Sequence, residues 1–575
     1  MKIKTLYTPE EKKDININTY LAKCGIDDGG LYINPMPLSP SDPKLYTNVN
    51  KAIEYIRELM FVYLNNIPPN YKKIYILQDS DVDGILSTAL MYKFLIHIGI
   101  SSEYVQILHH NHKAHGLTDG IMKRIDDDCG YLIIPDAGSD DCKQCAILQE
   151  KGIKVLIIDH HNIKEDNPYA IRVTNQEGGG NPKLCGTGVV FKVISAFFNP
   201  DLWEIEGVFF GYDKSYNNWL DLIAVANIAD MMSLTNYEVR MFNYYALEQL
   251  EISNPFLRFL CEQEGLSYNP TPHDIAFKIA PLLNALCRQL DKQAEKAAVL
   301  YAFIAEEDDI ELFTQAYIIC IEARDYQRKE ADKLLRRAKK SLIETPNCII
   351  ATVPLTPYTG LIANRLLEEY KKIVFVVHEG EELISGSARS PIPFRSQLQE
   401  SGYMQVNAGH EQAWGVGWNK GDTDKIIEWI NKKELDLIPE DVVLYSYQAD
   451  NIPLSAFGLF DNYENLWGQD IPKPKYHISK CQIDTLEVKV MGKKKDTLSF
   501  TYDGIKYIWF NTSKEKREII LSNNGRIYVD IIGDLTINVF RGKITQQVII
   551  NRLEVVQDAQ KPACPITDWA DIFKQ

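Results

Sequence analysis

The chain has 575 residues, 45% of them hydrophobic and 24% charged, with a formal net charge of −16. That balance excludes a disordered or fibrous protein, the lack of any ~18-residue apolar run argues against a membrane-spanning helix, and no membrane partner is expected. The opening MKIKTLYTPEEKKD has no apolar leader core, and eleven cysteines are scattered without a pairing pattern. A cytoplasmic protein with reduced thiols is therefore expected. Cys142 and Cys145 form the one C-x-x-C, and a zinc site would need a second pair that the sequence does not offer. Acidity alone does not exclude a nucleic-acid partner, because carboxylates that hold cations still count as charge; local charge decides.

Residues 1–70 read as a helical lead-in that ends at the breaker NNIPPNY. From 71 to 250 the order strand, turn, helix recurs, which predicts a parallel sheet with ligands at the carboxyl ends of its strands. Three of those ends are rich in metal-binding side chains. DSDVDG follows Ile74 to Leu77 and carries Asp79, Asp81 and Asp83. YLIIPDAGSDD places Asp136 after one apolar run, and VLIIDHH places Asp159, His160 and His161 after another. One such cluster alone fits a turn. Three in succession, with an adjacent His pair, deliver ligands to one sheet edge. Carboxylate with imidazole suits Mn²⁺, Mg²⁺ or Zn²⁺, and the surplus of carboxylates points to two ions.

Residues 251–345 read as a helical connector that includes the charged stretch RKEADKLLRRAKK. A smaller α/β unit spans 346–438. Segments such as LSFTYDGIKYIWF and LTINVFRGK alternate with period 2 over 439–560, predicting about five antiparallel strands in a small barrel of OB type. Residues 561–575 form a tail. The fold class is thus α/β, with two α/β domains joined by a long helix and an all-β domain at the end.

The order DxDxDG, DxGS, DHH, then Ala-Asp after an apolar helix resembles the DHH phosphoesterases. LDLIAVANIADMMSL supplies the fourth motif, with Asp230. LCGTGVVFKV, FKIAPLLNALCR, SGSARS and AGHEQAWG resemble segments of the RecJ branch and its DHHA1 domain, so the resemblance covers nearly the whole chain. It implies a 5′-to-3′ exonuclease on single-stranded DNA, with RNA as the other polymer, using two Mn²⁺ or Mg²⁺ ions. By the same resemblance Asp79, Asp81 and Asp136 hold one ion, and Asp83, Asp136, His160 and Asp230 the other. Asp159 fixes His160 or His161, and His161 faces the scissile phosphate. Asn284 and Arg288, four apart on one helix face, meet the strand near its 5′ end. Ser387, Arg389 and His410 converge in the second lobe, where Gly409 allows close approach to the nucleotide chain. Ala408 and Trp414 depart from the family pattern at the exit side of the groove.

In the β-rich region, Trp509 and Phe540 offer ring faces, and Arg541 and Lys543 offer charge, as a single-strand groove requires. A monomer is expected, with a helicase or single-strand-binding protein as partner. Two rival readings remain. A DHH enzyme for short oligonucleotides or cyclic dinucleotides would not need the β-rich domain, and a non-catalytic binding scaffold would not need an intact ligand set.

Overall fold

The computed structural model describes residues 1–36, 41–64, 72–198, 214–249, 252–306, 308–523, 525–540 and 542–556. They form two compact units. The smaller contains Met1–Lys23, Ile438–Glu464 and the chain from Lys473; the larger contains Cys24–Leu437 and Asn465–Pro472. The expected helical lead-in begins instead with a strand of the smaller unit, β1 (Lys2–Thr5), and helices follow at Ile17–Lys23, Gly29–Ile33 and Val49–Leu64. Lys-Ile-Lys-Thr alternates polar and apolar residues, and the short strand satisfies its amides by pairing with a distant segment of the chain. NNIPPNY and the tail lie outside the described residues.

In the larger unit, β2 (Lys73–Gln78), β3 (Val105–His109), β4 (Cys129–Pro135), β5 (Lys154–Asp159) and β6 (Ile171–Thr174) are all parallel, in the order β3-β2-β4-β5-β6. Such strands are covered on both faces. Accordingly all seven residues of β4 are buried, and the helix Val82–His97 is buried along nearly its whole length. The chain leaves β2 for β3 on one side and returns to β4 on the other. That reversal opens a crevice at the carboxyl ends of β2 and β4, the place where open α/β sheets bind ligands.

Helices carry the chain from there to Ile310–Lys340, whose 31 residues span about 46 Å. Its far end packs Leu334 and Ala338 against Val353, Ile362 and Leu366 of the second α/β domain. That domain's strands are β7 (Ile343–Glu344), β8 (Cys348–Thr352), β9 (Ile373–Glu379), β10 (Leu383–Arg389), β11 (Met404–His410) and β12 (Ala413–Asn419). They run in the order β11-β12-β10-β9-β8-β7, and β8–β9 is the parallel pair.

The smaller unit pairs β1 with β13 (Glu440–Val443) in parallel. Its main sheet holds β14 (Ser446–Gln448), β15 (Tyr476–Asp484), β16 (Lys489–Met491), β17 (Thr497–Tyr502), β18 (Ile505–Trp509), β19 (Arg526–Phe540) and β20 (Lys543–Val556). The order is β14-β15-β19-β20-β18-β17-β16. The expected set of about five antiparallel strands is therefore seven, two of whose pairings, β14–β15 and β18–β20, are parallel. The helix Lys514–Leu521 explains the second of these. It is a crossover between β18 and β19, and it lets the chain return on β20 in the direction of β18.

Candidate metal centre and nucleic-acid-binding residues

The centre lies where the sheet order reverses. After β2 the chain reads Asp79-Ser80-Asp81 and enters the helix Val82–His97 at once. Asp81 caps that helix, its Oδ1 accepting from the Gly84 amide at 3.0 Å. Gly84 is required by contact, since a Cβ there would stand 2.6 Å from Asp79 Cβ and from its carbonyl oxygen. Asp83 reaches the start of the helix Gly186–Phe198. Its Oδ2 accepts from the Gly186 amide at 2.6 Å, and its Oδ1 from the Thr187 amide at 2.8 Å and hydroxyl at 2.6 Å. The glycine-rich segment thus orients a carboxylate with the free donors of a helix end.

Asp136 departs from ordinary backbone geometry. It sits at φ +70° beyond β4, about 1% exposed, with neither carboxylate oxygen hydrogen-bonded. A Cβ on Gly186 would collide with Asp136 Oδ1, so a glycine is needed there too. Burial, then the charges of Asp83, Asp81, Asp79 and Asp230, drive its pKa well above the usual carboxylate range. His160 Nε2 lies 3.2 Å from Asp136 Oδ1, 3.5 Å from Asp230 Oδ2 and 3.8 Å from Asp83 Oδ2. Burial lowers the His160 pKa although Asp83 opposes the shift, so the ring is neutral and can serve as a ligand. Burial also pushes Asp230 up to about 8, reinforced by Asp83, and Asp79 up to about 6 against a hydrogen bond from His115.

Among the described residues, three sets bring their ligand atoms within 4.8 Å of one another: Asp79, Asp81 and His115; Asp83, His160 and Asp230; and Asp136, His160 and His161. The residues fit divalent cations on two counts. Asp136 and one oxygen of Asp79 are buried acceptors with no donor, and carboxylates crowded around a neutral imidazole repel one another until a cation joins them.

Of the two histidines, the structure gives His161 to Asp159. His161 Nδ1 lies 2.8 Å from Asp159 Oδ1, which also accepts the amides of His160 (2.8 Å) and His161 (3.1 Å). Asp159 Oδ2 takes the Ser139 amide at 3.2 Å. Burial opposes the Asp159 charge, but His161 outweighs it and holds the carboxyl well below its ordinary range. The same hydrogen bond raises His161 to about 9. His161 is half-exposed.

Sequence reasoning missed His115. HHNHKAHG closes and follows β3, another strand of the same sheet, but β3 itself had gone unread. A histidine-rich run after a fourth apolar segment was the available signal.

In the second lobe, Ser387 and Arg389 share one face of β10. Ser387 Oγ is 2.9 Å from Thr359 Oγ1, and Arg389 Nε donates to Asn364 Oδ1 at 2.7 Å. Arg288 and Asn284, both half-buried, lie on or just past the helix Ala280–Cys287. Burial lowers the Arg389 pKa, and the Arg288 charge lowers it further, which puts the two guanidiniums in each other's field. His410 is exposed on β11; it and Arg389 both face Ala413 of the intervening β12. Two strand spacings, about 10 Å, therefore separate them, and their convergence is that of one shared face.

Trp414 and Trp509 lie where the sequence did not place them, and Gly409 has a packing role of its own. Gly409, at φ +133°, is required by β12, because a Cβ would meet Ala413 O and Trp414 Cα at 2.9 Å. Trp414 points into the core, edge-on to Phe375 at 6.4 Å, and is not a groove residue; Ala408 is exposed on the opposite face. In the smaller unit Trp509 is only 6% exposed, a core residue and no stacking platform, whereas Lys543 is exposed. Period-2 alternation sends Tyr507 and Trp509 inward together. Arg541 and the side chain of Phe540 lie outside the described residues.

Residues 73–226 match the DHH family, N-terminal domain, and residues 449–552 match the RecJ OB domain. The chain is 27% identical to the putative SPbeta prophage-derived single-strand DNA-specific exonuclease YorK of Bacillus subtilis (strain 168), over 94% of this chain and 96% of that protein. It is 24% identical to the single-stranded-DNA-specific exonuclease RecJ of Haemophilus influenzae, over 85% of this chain and 88% of that one. The fold is that of RecJ from Thermus thermophilus in complex with Mn²⁺, with a TM-score of 0.70 at 18% identity, covering 97% of this chain and 79% of that one. Matches to the DHH family and to the RecJ OB domain, with the RecJ fold over 97% of the chain, make this chain similar to RecJ along nearly its whole length.

Proposed function

We propose that the chain is a divalent-metal-dependent exonuclease that removes nucleotides from the 5′ end of single-stranded DNA. One observation carries the reading: Asp136, buried without a hydrogen-bond donor among Asp79, Asp81, Asp83 and Asp230, is tenable as a carboxylate only beside cations. Asp79 and Asp81 would hold one ion, Asp83, His160 and Asp230 the other, and Asp136 would lie between them. Mn²⁺ or Mg²⁺ suits these donors; when bound, such ions neutralise phosphoryl oxygens and make water nucleophilic at neutral pH.

The chain's own residues do the rest. Gly186 and Thr187 fix both oxygens of Asp83 before any substrate arrives. Asp159 sets the His161 ring and favours its charged form, so that Nε2 offers a positive donor to the scissile phosphate. Arg288 and Arg389, each in the other's field, relieve that repulsion by sharing a phosphate of the strand, with Ser387 and Asn284 beside them. His410 adds a donor farther along the same face. Residues 71–250 carry the metal centre, 251–345 connect it to the second α/β domain at 346–438, and the OB domain adds grip on the polymer through exposed groups such as Lys543. The protein acts as a monomer alongside a helicase or single-strand-binding protein.

The test is digestion of 5′- and 3′-end-labelled single strands with Mn²⁺, with duplex DNA and RNA strands as controls. Early release of 5′ label as mononucleotide from DNA is expected. Release of 3′ label first, or equal attack on circular strands, overturns the reading.

A further inference from the structure

We infer that His115 is a metal ligand of this chain, giving its Nδ1 to the ion held by Asp79 and Asp81. The inference rests on the two-metal reading above and adds a donor to it.

Three observations converge. His115 Nδ1 lies 2.6 Å from Asp79 Oδ2, and a ligand atom from each of His115, Asp79 and Asp81 falls within 4.8 Å of the other two. Asp79 is about 1% exposed, and its other oxygen, Oδ1, is buried with no hydrogen-bond partner, so His115 satisfies only one of the two oxygens. The third observation is how the half-exposed His115 is held. Arg124 donates to the His109 carbonyl at 2.6 Å, Lys296 to that of His110 at 2.9 Å, and the Asp291 amide to that of Asn111 at 2.8 Å. Ser80, between the two aspartates, donates to the His112 carbonyl at 3.3 Å. Beyond His115, Gly116 has φ +63° with no room for a Cβ beside Asp141 Oδ2, and that oxygen accepts the Leu117 amide at 2.6 Å. A surface loop pinned at so many points presents the His115 imidazole in a fixed place, as ligands require. Asp141 of the DAGSDD segment thereby gains a role: it anchors the loop.

Two lone pairs converging on a shared proton converge equally on a shared cation, which is why metal binding displaces protons from such pairs. An imidazole beside two carboxylates shifts the preference of this site away from Mg²⁺ and toward Mn²⁺, since nitrogen donors suit later divalent metals.

The experiment is a Mn²⁺ titration of the full chain without substrate, followed by the free-ion EPR signal, in wild type, His115→Ala and His115→Asn. Wild type should bind two Mn²⁺. His115→Ala should weaken one of the sites about tenfold or more and leave the other unchanged, and Mg²⁺ should compete better at the weakened site. His115→Asn keeps a hydrogen bond to Asp79 while offering a poor ligand, so it should behave like His115→Ala. If both sites in His115→Ala stay within twofold of wild type, or if His115→Asn restores affinity fully, His115 is no ligand. If wild type itself binds no Mn²⁺, the two-metal reading falls and takes this one with it, an outcome distinct from the first two. Thermal unfolding of each variant confirms that an exposed loop position was changed without loss of the fold.

Discussion

At the edge of β2–β6, Asp79, Asp136 and Asp159 are each about 1% exposed, and two of them carry oxygens that meet no donor. In the β14–β20 sheet it is Tyr507 and Trp509 that are buried, Tyr507 stacked on Phe500 at 4.9 Å, while the lysines 493–495 and Lys543 are exposed. The first region crowds several buried carboxylates against one another. The second also holds a buried oxygen without a donor, Asp534 Oδ1, but the other oxygen of that carboxylate lies 3.7 Å from Lys473 Nζ. Carboxylates buried together, each costly to bury alone, need a ligand to explain them. A buried aromatic in an alternating strand is the ordinary outcome and marks nothing beyond packing.

The largest expected effect tests the first half of that contrast. Asp136→Asn should lower the single-strand cleavage rate by about 10²–10³-fold under saturating Mn²⁺. Asparagine tolerates the left-handed backbone that Asp136 adopts at φ +70°, so the metal-free fold should melt at the same temperature or higher. A rate within tenfold of wild type, or a clearly lower melting temperature, would mean that Asp136 is structural. Conversely, Trp509→Ala should destabilise the smaller unit by about 3–5 kcal/mol. Hydrogen exchange along β17 and β18 would read this. A folded variant that keeps wild-type protection but loses DNA binding would restore the platform reading.

A pH experiment probes the same logic at buried groups outside the ligand set. Burial, with Lys296 adding to it, pushes His109 down to about 3, and burial with His115 pushes His110 down to about 4. Both folded values lie below the unfolded value of about 6.5. The unfolded chain therefore binds more protons as pH falls, and the stability contributed by the neutral rings is present above pH 6.5 and lost through the window from 6.5 to about 4 and 3. Between pH 6.5 and 5 each ring should cost about 2 kcal/mol. Exchange rates of the β3 amides at several pH values should show that slope, and His109→Asn with His110→Asn should flatten it. A slope equal in the double variant would place the acid sensitivity elsewhere.

What was legible in the sequence follows the same division. The three clusters at Asp79–Asp83, Asp136 and Asp159–His161 could be read because each is a short run of carboxylate or imidazole ending an apolar strand, a pattern with few packing explanations. The sheet's parallel character followed from the alternation of strand and helix. His115 escaped because β3 is short and only partly buried, and did not stand out as an apolar run. Trp414 and Trp509 were misjudged because the sequence does not say which face of a strand is inward until the partner strands are known. The N-terminal strand was unreadable for a related reason: β1 is four residues long and is defined by β13, more than 430 positions away.

The smallest expected effect separates charge from aromatic burial within the smaller unit. Lys543 begins β20, directly across from Phe540 at the end of the β19–β20 hairpin, and it is exposed. If the OB domain grips single strands by their phosphates, Lys543→Ala removes at most one contact. The slope of log affinity against log salt for a ~30-nucleotide strand should then fall by about 0.7, with little loss at low salt. A conservative Trp509→Phe, which keeps a ring in the core, should leave the slope unchanged, because a buried ring touches no phosphate. Fluorescence binding at several salt concentrations measures both variants on the full chain. A slope unaltered by Lys543→Ala would remove this hairpin end from the nucleic-acid path, and a slope altered by Trp509→Phe would show that the core of the sheet, rather than its charged surface, sets the grip.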